Sequence, residues 1–445
     1  MPRERVPGDL LPVEASPVIG GPLGRHAAAR NRSAGRLLPL IVVMVALPMS
    51  LAVTRQGHCI ANGWNGDEQF WRGCFSDLPA QYQLGGLDAG LAGWAGGQGD
   101  LEQMPLLSGL MALLGGVVPG ESWLDASRWY VALWAVLITA AAAVSVWCVG
   151  RLRPGRLDLA TQLALTPAYV VAALLSPDLL VVSLLLGAML ALQARRPTTA
   201  GVLLGLALLG HAWVWLAPVA LLAAAPRLDR RPAAVRTVLV ALAVVAVSVL
   251  ALLALRPGLV LGPLRRWWEA PAGYGALVQI PELLGFPLPV WSVTVVALAG
   301  CVLAVLGAVL LARDAWRPAT WAQVLAFALP LMVLLGKSLP VQAVLWLLPL
   351  AILAGISWRT HLGLVAVEAV HASALWLYIG YGTDADKGLP PAWYAVVVLA
   401  RAFAWAFVMW SLWYTPVDNP PVPRDDGDDP DVHRPAEPVA AVGAG

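Results

Sequence analysis

Stretches of about twenty apolar residues recur along this chain, and each is long enough to cross the hydrocarbon core of a bilayer as one helix. Inside that core a backbone has to satisfy its own polar groups, so the expected fold is all-α, a polytopic membrane helix bundle. Apolar segments, some of them short helices paired across a polar turn, are read at about twelve places. They lie near residues 37–54, 127–150, 157–175, 178–194, 198–211, 213–225, 235–255, 290–312, 320–336, 341–356, 362–381 and 392–413. Of the 445 residues 59% are hydrophobic and only 13% charged, against about 25% charged in an average soluble domain. The bilayer is therefore the expected solvent and partner. A net charge of +2, with arginines scattered between apolar runs, gives no support to nucleic-acid binding.

The arginines orient the bundle. Arg25, Arg30, Arg32 and Arg36 precede the first span, and Arg151, Arg153 and Arg156 follow the second. Arg195 with Arg196, the stretch Arg227 to Arg236, Arg313 with Arg317, and Arg359 occupy later alternate loops. The positive-inside rule makes these loops cytoplasmic, with both termini on the same side and an even number of spans. Residues 1–36 then form a cytoplasmic N-terminal segment and 37–415 the transmembrane domain. The tail 416–445, rich in Pro and Asp and without apolar periodicity, reads as disordered. The first external loop, 55–126, is long, with glycine and tryptophan throughout. Its apolar stretch Met104 to Val118 is read as a re-entrant or interfacial helix, because a span there would put Arg151, Arg153 and Arg156 outside.

A few polar residues stand where a membrane protein has reason to avoid them. A charge at the centre of a spanning helix costs about 2.5 to 3.5 kcal/mol on insertion scales. Asp178 is the only charge between Asp158 and Arg195; His211 is the only ionisable side chain between Arg196 and Arg227. Lys337 is the only charge between Arg317 and Arg359. Each has an ordinary reading as a polar turn residue at the interface, and a lysine can snorkel to headgroups. The arginine-derived topology nevertheless places all three on the outer side, the side of the long loop. Within that loop Asp77, in CFSDLPAQY, sits just before Pro79 and suits either a substrate-facing carboxylate or an ordinary Asx turn. Glu102, in LEQMPLLSG, suits either a sugar hydroxyl or the N-terminus of the following helix.

A carboxylate able to take a proton, with cations opposite it, serves glycosyl transfer from a polyprenyl-phosphate sugar at the outer leaflet. Such a lipid-linked donor diffuses within the bilayer, whereas a soluble nucleotide sugar is not supplied on that side. Cys59 and Cys74 lie in the external loop, where a disulfide is permitted, against the alternative of two free thiols. Closing a loop of about 15 residues would stabilise it by roughly 3 kcal/mol in the chain-entropy model. The Asp384-x-Asp386 pair reads as a solvated turn rather than a metal site, and no P-loop, GxGxxG, HExxH or GxSxG pattern occurs.

Five short motifs, in order, resemble the actinobacterial branch of glycosyltransferase family 87, a branch of the GT-C superfamily. They are CFSDLP with an upstream cysteine, EQMPLLSG, SPDLLVV, GKSLPVQAVLWLLPL and EAVHASALWLYIG, and the resemblance spans roughly residues 37–420. It implies a GT-C-type bundle in the plasma membrane and an inverting transferase that moves a sugar, with mannose expected, from a polyprenyl-phosphate donor to a cell-envelope lipid or glycan acceptor. Asp77 would be the general base. Lys337 and Gln342, with His211, would face the donor phosphate, while Glu102, Asp178 and Tyr82 would position substrate. No cofactor and no obligatory metal are implied. This chain has Gly210 and His211 where relatives carry a Thr-Lys pair, and Gly336 where an Asn precedes the later lysine. Gln103 and Met104 replace a family tyrosine. The reading from another class is a non-catalytic protein on the same scaffold, acting as a lipid or glycolipid transporter or assembly partner. It would need a continuous polar path through the bundle, and the cytoplasmic ends offer little besides arginine.

Overall fold

A computed structural model describes residues 34–97, 103–120, 122–315 and 318–414, with side chains from Leu37 onward. Among the described residues every regular element is helical. Six helices are long and apolar enough to cross a membrane, and seven shorter apolar helices of 10–17 residues accompany them. The protein is thus a multi-pass helical membrane protein. Residues 1–33 of the expected N-terminal segment, the tail, and Glu102 lie outside the described residues.

The elements used below are α1 (Leu37–Arg55), α2 (Asp77–Leu84), α3 (Pro105–Gly115), α4 (Trp123–Leu152), α5 (Leu179–Gln193), α6 (Pro197–Gly210) and α7 (Leu216–Ala224). They continue with α8 (Arg231–Leu255), α9 (Gly258–Glu269), α10 (Val290–Asp314), α11 (Trp321–Leu334), α12 (Ala343–Ala354), α13 (Trp358–Tyr381) and α14 (Pro391–Tyr414). Their outward faces carry large apolar side chains such as Leu40, Val247, Trp291 and Phe403, as lipid contact demands.

Local chemistry explains the departures from uniform spans. α1 is broken at Met44 and Val45, because Pro48 has no N–H to give the Met44 carbonyl one turn earlier. The expected span 157–175 is two short helices, Leu157–Ala164 and Ala168–Ala172, with Pro167 between them. Thr166 Oγ1 accepts from the Ala168 N–H at that break and lies 3.0 Å from His361 Nε2 of α13. Between α1 and α4 the expected helix over 104–118 is the eleven-residue α3. At 1.5 Å per residue it is about 16 Å long, well short of the roughly 30 Å hydrocarbon core.

Close packing in the bundle depends on small residues where helices lack a water-driven force. Gly201 and Gly205 on α6 face α8. A Cβ at Gly201 would stand 2.6 Å from the Thr237 carbonyl oxygen, and one at Gly205 would stand 2.7 Å from Val244. The two backbones approach as closely as they do only because those side chains are absent.

The segment between α1 and α4 forms a cap over one end of the bundle. Cys59 and Cys74 are joined by a disulfide with Cα atoms 5.9 Å apart, and Trp64 donates to Gln56 in the same buried cluster. The bond closes a separation of 15 residues, worth about 3 kcal/mol in the chain-entropy model. Reducing the purified protein should therefore lower its thermal midpoint, and Cys59→Ala with Cys74→Ala should reproduce that lower value without reductant. An unchanged midpoint in both arms would show that the crosslink does not brace the cap.

Candidate functional site

Asp77 opens α2, and its turn is fixed from both sides. Ser76 is extended (φ −149°, ψ 136°) and caps the helix by accepting from the Leu78 N–H. The same hydroxyl donates to the Leu174 carbonyl at 2.6 Å, while the Asp77 N–H donates to the Leu175 carbonyl at 3.1 Å. Arg55, at the end of α1, donates to the carbonyls of Val170 and Val171. The Asp77 turn is thereby laid along the strand of chain that leads into Asp178. Asp77 itself is half-buried.

The cap also grips the end of α13. Phe75 packs on Trp376 with ring centroids 5.1 Å apart, and Trp71 fills the space beside Gly380 so closely that a Cβ there would stand 2.7 Å from its ring. At the end of α8, the Arg256 guanidinium occupies the position a side chain at Gly97 would take, and Gly97 has φ +82°. The ends of α13 and α8 and the chain over residues 170–175 thus all meet the cap, which defines one end of the bundle as the covered one.

Under that cap Asp178 precedes α5 and is 2% exposed. Its Oδ2 accepts a 2.7 Å hydrogen bond from Trp346 Nε1, in the first turn of α12. His211 is where α6 stops, its backbone turned to an extended conformation (φ −156°, ψ 141°). Its Nδ1 accepts from the Trp213 N–H at 3.5 Å, and its Nε2 lies 4.0 Å from Asp178 Oδ2. A neutral imidazole accepting at Nδ1 carries its proton on Nε2, the nitrogen that faces the carboxylate. The 4.0 Å separation is too long for a hydrogen bond, so the attraction between the two is electrostatic. The His211 ring packs on Trp346 with centroids 4.5 Å apart, and Trp213 stacks on Trp346 at 5.9 Å. Ser176 Oγ and Trp213 Nε1 are buried without a protein hydrogen-bond partner among the described residues. A hydroxyl-bearing ligand beside this aromatic and carboxylate cluster would meet ready donors.

The structure brings Asp77, Asp178 and His211 around residues 170–178, and it places Lys337 differently. The Lys337 ammonium donates to the carbonyls of Trp267, Trp268 and Ala270 at 2.8, 2.9 and 2.9 Å and lies over the Trp267 ring at 4.9 Å. All three of its N–H donors are committed to closing the C-terminus of α9, where a cation also complements the helix dipole. Gln342, in the same turn between α11 and α12, is the N-terminal flank of α12 and is half-buried. Tyr82 is buried within the cap and packs at a tilt against Tyr130, with ring centroids 4.8 Å apart. Burial, then the charge of Asp88, push the Tyr82 phenol above its ordinary range, so it remains a neutral donor. In the loop after α13, Asp384 pairs with Lys387 at 2.8 Å and accepts from the Asp386 N–H, a self-contained turn. Among the described residues no group of three or more metal-ligating side chains occurs.

Sequence reasoning missed a second buried polar cluster. Glu368 and Arg401, on α13 and α14, are 2% and 0% exposed and form an ion pair at 2.8 Å. Arg401 also donates to the Leu339 and Pro340 carbonyls of the turn that carries Lys337 and Gln342, and Trp405 donates to Glu368 at 2.7 Å. His371 and Tyr394, both fully buried, lie 3.3 Å apart beside it. The signal was present: each is a lone charge of its sign within an apolar 24-residue helix apart from terminal turns, the same feature that singled out Asp178.

The chain matches no family model, and no curated protein or solved structure matches it at a significant level.

Proposed function

We propose that the protein is a membrane glycosyltransferase of GT-C type, moving a sugar, with mannose expected, from a polyprenyl-phosphate donor to a cell-envelope lipid or glycan. The observation that carries this reading is the pinning of the Asp77 turn onto the chain leading to the buried Asp178, His211 and Trp346 cluster. In the proposed step the acceptor hydroxyl oxygen attacks the anomeric carbon and gives its proton to Asp77. The bond from that carbon to the donor phosphate oxygen breaks, and polyprenyl phosphate leaves with the electron pair. Attack opposite the leaving group inverts the anomeric centre.

Asp178 and the indoles of Trp213 and Trp346 are suited to hold a sugar, since ring faces offer apolar surface and a carboxylate accepts from hydroxyls. His211 supplies a donor beside them. Lys337 fits a supporting role better than direct phosphate contact, because its donors already close α9. The orientation follows from the arginine pattern, and the plasma-membrane location from the family resemblance. About twelve crossings, both termini in the cytoplasm and a plasma-membrane location put the capped end outside, within reach of a donor in the outer leaflet.

The test is to incubate the purified protein, reconstituted in liposomes, with polyprenyl-phosphate-mannose and a cell-envelope lipid extract. The expected result is a lipid product heavier by one hexose. Movement of a lipid-linked sugar across the liposome membrane with no hexose transferred would replace this reading by the transporter one.

A further inference from the structure

α13 and α14 enclose a groove of about 390 Å³ that the proposed reaction does not use. One wall is Gly363 and Val367 of α13, the other Ala404, Phe407 and Val408 of α14, and Arg359 stands at the mouth with Thr360 beside it. The volume falls within the roughly 300 to 1,000 Å³ of small-molecule sites. Apart from its mouth the groove is apolar, and it opens on a face where Leu362, Val370 and Phe407 are exposed.

Helix length fixes where the mouth lies. Gly380 of α13 meets Trp71 at the capped end, and Arg359 is 21 residues earlier in the same helix. At 1.5 Å per residue the two are about 31 Å apart, close to the roughly 30 Å thickness of a hydrocarbon core. Arg359 is therefore at the opposite membrane interface. Aromatic side chains mark the same level: Trp358 flanks it, and Trp410 and Tyr414, both 64% exposed with ring centroids 4.7 Å apart, end α14.

Arg359 has no ion pair or hydrogen-bond partner among the described residues. It also sits in the first turn of α13, where the helix dipole is positive and a cation is disfavoured. An unpaired cation against a positive helix end, at the mouth of an apolar groove at an interface, matches a ligand with an anionic head and a hydrocarbon tail.

We propose that this groove binds an anionic phospholipid of the leaflet opposite the cap, with its phosphate at Arg359 and one acyl chain between α13 and α14. The backbone N–H groups of Trp358 and Arg359 add to the guanidinium at the headgroup, since the Ser357 hydroxyl caps only the Thr360 N–H.

Gly363 gives a clean block, because a Cβ there would meet nothing within 4 Å. The full chain, purified in detergent, is to be titrated with phosphatidylglycerol or phosphatidylcholine and read by native mass spectrometry. Wild type should hold phosphatidylglycerol about fivefold more tightly than phosphatidylcholine, the ratio that about 1 kcal/mol for one basic residue at an anionic surface gives. Arg359→Gln should bring that ratio to about one, and Gly363→Leu should lower occupancy by both lipids. A wild-type ratio near one, or a ratio that Arg359→Gln leaves unchanged, overturns the proposal. So does a self-associated species that Gly363→Leu dissolves, which would make the groove an interface between copies. Arg359→Gln alters no packed side chain, so the test survives if Gly363→Leu fails to fold.

Discussion

Asp77→Asn should abolish most sugar transfer, lowering turnover by about 10² to 10⁴, while leaving the folded protein and its affinity for donor nearly unchanged. Asparagine has the same outline and keeps the backbone N–H that donates to the Leu175 carbonyl, so the turn stays where Ser76 and Arg55 hold it. What it loses is the ability to receive a proton at neutral pH. The dipole's share of the structural cost is small: an acidic residue in the first turn of a helix contributes about 0.3 to 1 kcal/mol that way. A kinetic loss of 10² to 10⁴ corresponds to about 2.7 to 5.5 kcal/mol at the transition state, far above that.

The measurement is single-turnover hexose transfer from polyprenyl-phosphate-mannose, run beside a thermal midpoint. Turnover within a few-fold of wild type at an unchanged midpoint would take Asp77 out of the mechanism. A midpoint lowered together with turnover would instead make its role one of holding the cap.

How much of this was legible beforehand depends on which physical signal each residue carried. The helical bundle was legible because a bilayer imposes a length on every apolar run. The break points were not, since they turn on single prolines such as Pro48 and Pro167 inside otherwise continuous runs. Asp178 and His211 stood out as isolated polar residues, and the structure places them 4.0 Å apart although 33 residues separate them in sequence. Their aromatic partners Trp213 and Trp346 were silent, because a tryptophan in an apolar run looks like any lipid-facing or core residue. Lys337 shows the opposite limit. Its charge was conspicuous, but sequence gives no indication that three carbonyls at the end of α9, some 70 residues away, would take up its donors.

Arg401→Met should destabilise the protein by about 3 to 5 kcal/mol, the range measured when one partner of a buried ion pair is removed. The expectation rests on what is left behind. Glu368, 2% exposed, would keep only the Trp405 indole, and the carbonyls of Leu339 and Pro340 would lose their donor. Those carbonyls belong to the turn between α11 and α12, so the damage should extend to the capped end rather than remain between α13 and α14. Replacing both charges, Glu368→Leu with Arg401→Met, removes the stranded carboxylate but not the stranded carbonyls. Its loss should therefore be smaller than that of Arg401→Met alone, yet not zero. Thermal midpoints of the wild type, both single variants and the double variant form a double-mutant cycle that isolates the coupling. If the double variant is no more stable than Arg401→Met, the carboxylate is not the source of the penalty. The guanidinium would then act chiefly as a clasp on the backbone of the turn between α11 and α12, through the carbonyls of Leu339 and Pro340.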